Sequence, residues 1–384
     1  MIANIPKHWK IKKLGEIGVF FKGKGVPKNK ITDTGFKCLT YGDLYTKYDF
    51  VIEGVKSFID KETALISQEI RYGDICFAGS GETLEDIGKC ATFIDDKIGY
   101  AGGDIIVFRT EQNPIVMSYL LNSDIAKKQK FSMGQGHSVV HIYSSQLEML
   151  KLPIPPLEEQ EKIAEILLSC DKAIHLTTQI IPQLKQRNQG LAQQLLTGEK
   201  RVKGFKNSIW KEVRLGEICK ITTGKLDANE MVPNGKYRFY TCAKNYFYIN
   251  KYAFDTEALL ISGNGAYVGY VHYYKGKFNA YQRTYVLDSF IENIRFIKYF
   301  LDKNLKKRIS NEKMEGNTPY IILSTLSEML IHLPSLTEQN TIAQILDTAH
   351  QELKLYEQKL QLLQAQKKTL MQKLLIGEVL TVKK

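Results

Sequence analysis

Two short fragments of this 384-residue chain carry residue types that could transfer a methyl group. Phe77, Gly79 and Gly81 have the F-x-G-x-G spacing of a loop that binds S-adenosylmethionine, and Asn317-Thr318-Pro319-Tyr320 resembles the N-P-P-Y of adenine methyltransferases. Together they would make the chain a self-contained DNA adenine methyltransferase. Their context argues against it. A cofactor loop follows a strand and opens a helix, with an acidic residue about 20 positions on. Here Gly88 and a run of β-formers follow Gly81, and Thr318 replaces a required proline. A nuclease reading fares worse. Its E-x-K pattern occurs as Glu352/Lys354 and Glu357/Lys359 within a helical stretch, where such charges are solvated. The six cysteines (Cys38, Cys76, Cys90, Cys170, Cys219, Cys242) form no C-x-x-C pair, so no zinc site is expected. They read as free thiols in a reducing cytosol.

Other residues suit binding rather than bond-making. The 53 Lys and Arg against 41 Asp and Glu leave a net charge of +12, which points to a polyanionic partner. Lysines concentrate at Lys7, Lys10, Lys12, Lys13, Lys22, Lys24, Lys28 and Lys30, with Glu16 the single acid in residues 7–30. A second basic stretch runs from Lys200 to Lys225. Such density suits phosphate contact. Glycine-rich turns at 22–25, 78–81, 134–137 and 262–267 could approach a duplex closely, and side chains on or near such loops could read bases. Lys22, Lys24, Lys28, Lys30, Ser80, Gln135 and His137 are the candidates in the first part of the chain. Lys225, Asn264, Tyr267, Gln282, Arg283 and Asn317 are those in the second. The many tyrosines between Tyr246 and Tyr285 could serve the core, phosphates or both.

The elements that must position these residues come as a repeat. Trp9, Leu14, Gly15, Glu16 and Ile17 return as Trp210, Leu215, Gly216, Glu217 and Ile218, a shift of 201. Pro155, Leu157, Glu159, Gln160, Ile163, Ala164, Ile166 and Leu167 return as Pro334, Leu336, Glu338, Gln339, Ile342, Ala343, Ile345 and Leu346, a shift of 179. The latter shift also carries Gly198-Glu199 onto Gly377-Glu378. A repeat of this kind decides the architecture. It also separates the two methyltransferase-like fragments, which fall in different copies; the counterpart of Asn317–Tyr320 is Ser138–His141.

The fold class expected is α+β, with two similar globular bodies joined by two long helices that pair as an antiparallel coiled coil. The boundaries are 1–156 for the first body, 157–200 for the central helix, 201–335 for the second body and 336–384 for the C-terminal helix. Strands are expected at Asp104–Phe108, Ala258–Ile261 and Thr284–Leu287, and helices at Pro114–Lys128 and Ile291–Ile309. The stretch from Tyr267 to Tyr274 reads as part of a hairpin. A heptad seam runs through Leu353, Tyr356, Leu360, Leu363, Lys367, Leu370 and Leu374. Its counterpart runs through Ile174, Thr177, Ile181, Leu184, Asn188, Leu191 and Leu195. The polar Asn188 and Lys367 occupy one equivalent slot, where they can fix register. Ser335 to Glu338 makes a capping-box pattern, and Gly198 and Gly377 stand where C′ glycines end helices. Pro182 should kink or break the first helix near 178–182. An antiparallel pair would relate the bodies by a pseudo-two-fold axis.

With the repeated order of these motifs, the chain resembles the specificity subunit of type I DNA restriction–modification systems over its whole length. The resemblance implies that each body is a target-recognition domain reading one half of a split double-stranded DNA sequence, and that the chain is not itself catalytic. It also implies helices that set the spacing and dock two modification subunits, joined by restriction subunits. S-adenosylmethionine, ATP and Mg2+ would then be cofactors of those partners and not of this chain. The 41 positions from Leu157 to Thr197 would span about 60 Å as one helix. A scaffold that binds only proteins would leave the repeated basic stretches unexplained. The N-terminal residues lack a signal peptide's apolar run and no stretch is long enough to cross a membrane, so a cytoplasmic location is expected.

Overall fold

The structure, a computed structural model, describes residues 5–136, 139–312 and 320–379. The chain forms two compact units, Met1–Thr177 with Lys359–Lys384, and Thr178–Gln358. Each unit thus holds one body and parts of both long helices, Leu157–Leu196 and Leu336–Leu375.

In the first unit a five-stranded sheet runs in the order Gly18–Lys22, Ile105–Thr110, Ile75–Ala78, Cys90–Phe93, Val51–Ile52. A second sheet of five short strands pairs Phe36–Leu39 with Gly99–Ala101 in parallel and with Ser57–Ile59 in antiparallel fashion. The all-buried strands Ile75–Ala78 and Cys90–Phe93 have apolar residues without alternation, as strands covered on both faces do. The second unit has one six-stranded sheet, in the order Lys220–Thr223, Thr284–Asp288, Phe254–Ser262, Val271–Ala280, Tyr237–Tyr240, Phe247–Ile249. Phe254–Ser262 and Val271–Ala280 form the expected hairpin.

Each body is built into the helices by the same device. The first core takes Ile163, Ala164 and Leu167 from the start of one long helix and Leu374 and Leu375 from the end of the other. The second core takes the equivalents Ile342, Ala343 and Leu346, with Leu195 and Leu196. At about 1.5–3 kcal/mol per fully buried large apolar side chain, these contacts bind body to helix strongly. A head of one helix beside the tail of the other also makes the pair antiparallel. In the second unit Asn188 Nδ2 donates to the Ala349 carbonyl (2.8 Å), Arg187 pairs with Glu352 (2.6 Å) and Lys185 with Glu357 (2.9 Å). In the first, Lys367 pairs with Asp171 and its ammonium lies over the rings of Phe50 and Tyr119. All fourteen seam positions are buried or half-buried, the two polar ones included.

The E-Q pair of the repeated motif proves to be a pin. Gln160 Oε1 accepts from Asn113 N (2.8 Å) and its amide donates to the Pro155 carbonyl (2.7 Å). Gln339 does the same with Asn293 N (3.0 Å) and the Pro334 carbonyl (2.9 Å). Asn113 and Asn293 are themselves N-caps of body helices, so each glutamine locks a body helix to a long one. Glu159 accepts from Trp9 Nε1 (3.1 Å), whereas Glu338 receives two bonds from Arg201 (3.0 and 2.9 Å).

Several expectations are corrected. Of the kink or break expected at Pro182, the break does not occur: one helix runs Leu157–Leu196, because proline costs one backbone donor while Ile181 and Leu184 on either side of it are buried in the seam. The single helix expected at Pro114–Lys128 is two, Pro114–Leu121 and Asp124–Met133. Asn122 leaves the helix to hydrogen-bond the backbone of Cys90, and Ser123 caps the next one. Ser335 Oγ accepts from Glu338 N, but the Glu338 carboxylate turns to Arg201 rather than closing the box. Gly198 and Gly377 have φ of 74° and 70°, the left-handed conformation that ends a helix. No helix among the described residues is long and apolar enough to cross a membrane.

Candidate nucleic-acid interface

The glycine-rich turns converge on one corner in each unit, held by matching backbone bonds. In the first unit Gly79 N donates to the Asp104 carbonyl (2.8 Å), Ile142 N to the Gly79 carbonyl (3.0 Å) and Gly23 N to the Ile105 carbonyl (2.7 Å). In the second, Gly263 N donates to Arg283 (2.9 Å), Ile321 N to Gly263 (2.9 Å) and Gly224 N to Thr284 (3.2 Å). Val140–His141 pairs with Ser80–Gly81, and Tyr320 bridges Asn264 in the same way. These glycines are there for close approach. A Cβ on Gly23 would lie 1.9 Å from the Gly102 carbonyl oxygen, and one on Gly224 1.9 Å from that of Ala280.

This frame carries different side chains in the two copies. The first corner presents Lys22, Lys24, Ser80, Gly103, Asp104 and His141; the second presents Thr223, Lys225, Asn264, Gln282, Arg283 and Tyr320 at the same places. Lys24 and Lys225 are exposed equivalents. In the first corner a cleft of about 120 Å³ is lined by Lys22, Ser80, Asp104, His141 and Tyr143. Ser80 is buried and its hydroxyl lies 3.0 Å from His141 Nδ1, so it orients the histidine more than it reaches outward. Gln135 is exposed and its backbone pairs with His141, which brings it to the same corner. Tyr267 is exposed on the turn that follows Asn264. Gln282 is braced by Asp227, its amide donating at 2.8 Å.

Other candidates lie elsewhere. Lys28 and Lys30 form a short 3-10 turn leading into the second sheet, with Lys30 3.9 Å from Asp60. Lys10, Lys12 and Lys13 sit on a strand paired with Lys151–Ile154 and Lys22 ends a strand of the first five-stranded sheet, so the basic N-terminal stretch is spread over two sheets and the turn. His137 and Asn317 lie outside the described residues. Asp104, His141, Tyr143 and Tyr320 stand out as corner residues only in the spatial match of the two copies. Arg238 is not marked by any motif, and its guanidinium lies over the rings of Tyr246 (4.2 Å) and Tyr274 (4.4 Å). Among the tyrosines, Tyr240 is core, while Tyr246, Tyr248 and Tyr252 are exposed. Burial holds His272 below its ordinary value.

The methyltransferase reading finds no footing in the first fragment: Gly81 is followed by turns and then the strand Cys90–Phe93, not by a helix. A cavity of about 810 Å³ in the first unit is lined by Asp49, Glu85, Asp86 and Asp124 as well as by four lysines. That balance exerts no net pull on a polyanion. Among the described residues no group of three His, Cys, Asp or Glu could hold a metal ion.

Residues 6–186 and 207–365 match the type I restriction modification DNA specificity domain. The chain therefore belongs to that family and is a specificity subunit, the non-catalytic component of a type I restriction–modification complex. It is 46% identical to the EcoDI specificity subunit of Escherichia coli, over a match covering 36% of this chain and 31% of that one. It is 26% identical to the MjaVIII specificity subunit of Methanocaldococcus jannaschii, over 98% and 94% of the two chains. The fold is similar to that of the S subunit from M. genitalium, with a TM-score of 0.64 over 97% of each chain at 19% identity. It is also similar to the subunit from Thermoanaerobacter tengcongensis, with a TM-score of 0.54 over 98% and 99% at 19% identity.

Proposed function

We propose that each unit reads one half of a bipartite duplex target through its glycine-framed corner, and that the paired helices set the gap between the halves. The observation carrying this reading is the same backbone corner occurring once in each unit with different outward side chains. One frame used twice with different contents suits two different half-sites. Lys22, Lys24 and Lys225 with their neighbours supply phosphate contacts, and the exposed polar groups at the corner supply base contacts. Lys28, Lys30, His137 and Asn317 remain in the proposed set on charge and residue type.

The helices present a repeated surface to two copies of one modification subunit, which supplies the S-adenosylmethionine chemistry; restriction subunits bring ATP and Mg2+. The whole acts in the cytoplasm. Binding of the full chain to duplex DNA should weaken steeply with salt, by counterion release. Replacing residues 1–150 with another family member's body, then sequencing methylated bases in the host, should change one half of the motif and leave the other intact. Both halves changing together would refute the modular reading.

A further inference from the structure

We propose that positions 104 and 283 are equivalent base-reading positions. Asp104 accepts the exocyclic amino group of a cytosine in the half-site of the first unit, and Arg283 donates to O6 and N7 of a guanine in that of the second. This rests on the bipartite reading above and gives it named side chains and named bases.

The two positions are equivalent by structure as well as by the shift of 179. In each, the carbonyl oxygen receives the glycine N–H that closes the corner, from Gly79 at 2.8 Å and from Gly263 at 2.9 Å. The backbone is thereby spent on the frame and the side chain is left outward. Both side chains are exposed, and among the described residues neither takes part in a hydrogen bond or ion pair. Their neighbours are occupied: Gln282 by Asp227, Ser80 by His141.

Chemistry then separates the two. Lys24 and Lys225 keep one charge at one place in both copies, as a sequence-independent phosphate contact would. Position 104/283 reverses its charge. A carboxylate facing a polyanion is repelled, so Asp104 belongs on a DNA-facing corner only if it accepts a hydrogen bond there. In the major groove the amino donors are those of cytosine N4 and adenine N6, and an acidic side chain pairs with the former. An arginine fork in the same place matches guanine bidentately.

The test uses Asp104→Asn and Arg283→Lys in the full chain, with Lys24→Ala as the phosphate control. Binding to duplexes mutated one base pair at a time is measured, together with the methylated motif in a host carrying each variant. Arg283→Lys keeps the charge but loses the fork. It should lower discrimination at one guanine of the second half-site by roughly 10- to 100-fold and leave the first half-site intact. Asp104→Asn should relax one cytosine of the first half-site alone. Lys24→Ala should weaken all duplexes alike. Uniform weakening by the first two variants, or an unchanged motif in both, overturns the assignment while leaving the bipartite reading standing. A wild-type chain whose binding ignores sequence overturns both.

Discussion

Replacing the motif glutamates by glutamine should cost far more in one copy than in the other. The Glu338 side chain is fully buried and receives two bonds from Arg201 and one from Ser208 Oγ (2.9 Å); the Arg201 side chain is 19% exposed. Glu338→Gln leaves that guanidinium inside the second unit without its counter-charge, a change that costs about 3–5 kcal/mol. Glu159 instead receives a neutral indole N–H from Trp9 and shares a hydrogen bond with His8 Nε2 (2.5 Å), whose side chain is 33% exposed. A glutamine there keeps an acceptor for the indole, and the loss is the difference between a charged and a neutral bond, about 1 kcal/mol. The chain's two tryptophans are Trp9 and Trp210, one beside each motif. Urea unfolding of the Trp9→Phe chain therefore reports on the second unit, and that of Trp210→Phe on the first. With a slope of about 2 kcal/mol per molar urea, Glu338→Gln should move its midpoint by about 2 M and Glu159→Gln by about 0.5 M. Equal shifts, or the larger one at Glu159, would show that the buried ion pair is not what holds the second body to its helix.

Four residues inserted after Gln189, with four after Ala349 to keep the antiparallel partner in step, add about 6 Å. The methylated motif should keep both halves and gain one or two base pairs between them; an unchanged gap in an active variant would end the ruler idea. Burial lowers the Lys130 pKa to about 8, while the unfolded chain keeps its 10.5. Between those values the unfolded state binds the extra proton, so stability contributed by this residue rises as pH climbs from 8 to 10.5. The melting temperature of wild type relative to Lys130→Met should rise over that window, and a flat difference would count against the burial. Gly377→Ala should destabilise more than Gly198→Ala. Both place alanine at positive φ, but the new Cβ meets Pro6 at 2.3 Å in the first case and Trp210 at 3.5 Å in the second. Thermal melts decide that ordering.

Much of the architecture was legible because it is periodic. The shifts of 179 and 201 and the heptad spacing of Leu353 to Leu374 needed no contact information, and neither did the terminal glycines at 198 and 377. What failed was set by distant partners. Asn122 ends a helix because Cys90, 32 residues away, offers it backbone bonds. Pro182 stays inside one because tertiary burial of Ile181 and Leu184 outweighs a lost donor. The second sheet of the first unit escaped notice because its strands are only two to four residues long.

The corner was half legible for the same reason. Asn264, Gln282 and Arg283 were visible as polar groups near glycines, but Asp104 was not, since an acid in a basic chain looks like a mistake for a DNA reader. Its role emerges only when its carbonyl is seen doing what that of Arg283 does. That equivalence also explains how the two copies could diverge without losing their fold. The bonds that shape the corner are made by backbone atoms and by glycines that tolerate no side chain, so the exposed residues at 103 and 104 and at 282 and 283 can change identity at little structural cost. The pins that hold body to helix are side-chain bonds of Gln160 and Gln339, and there the two copies keep the same residue. Variation is confined to where the frame does not depend on it.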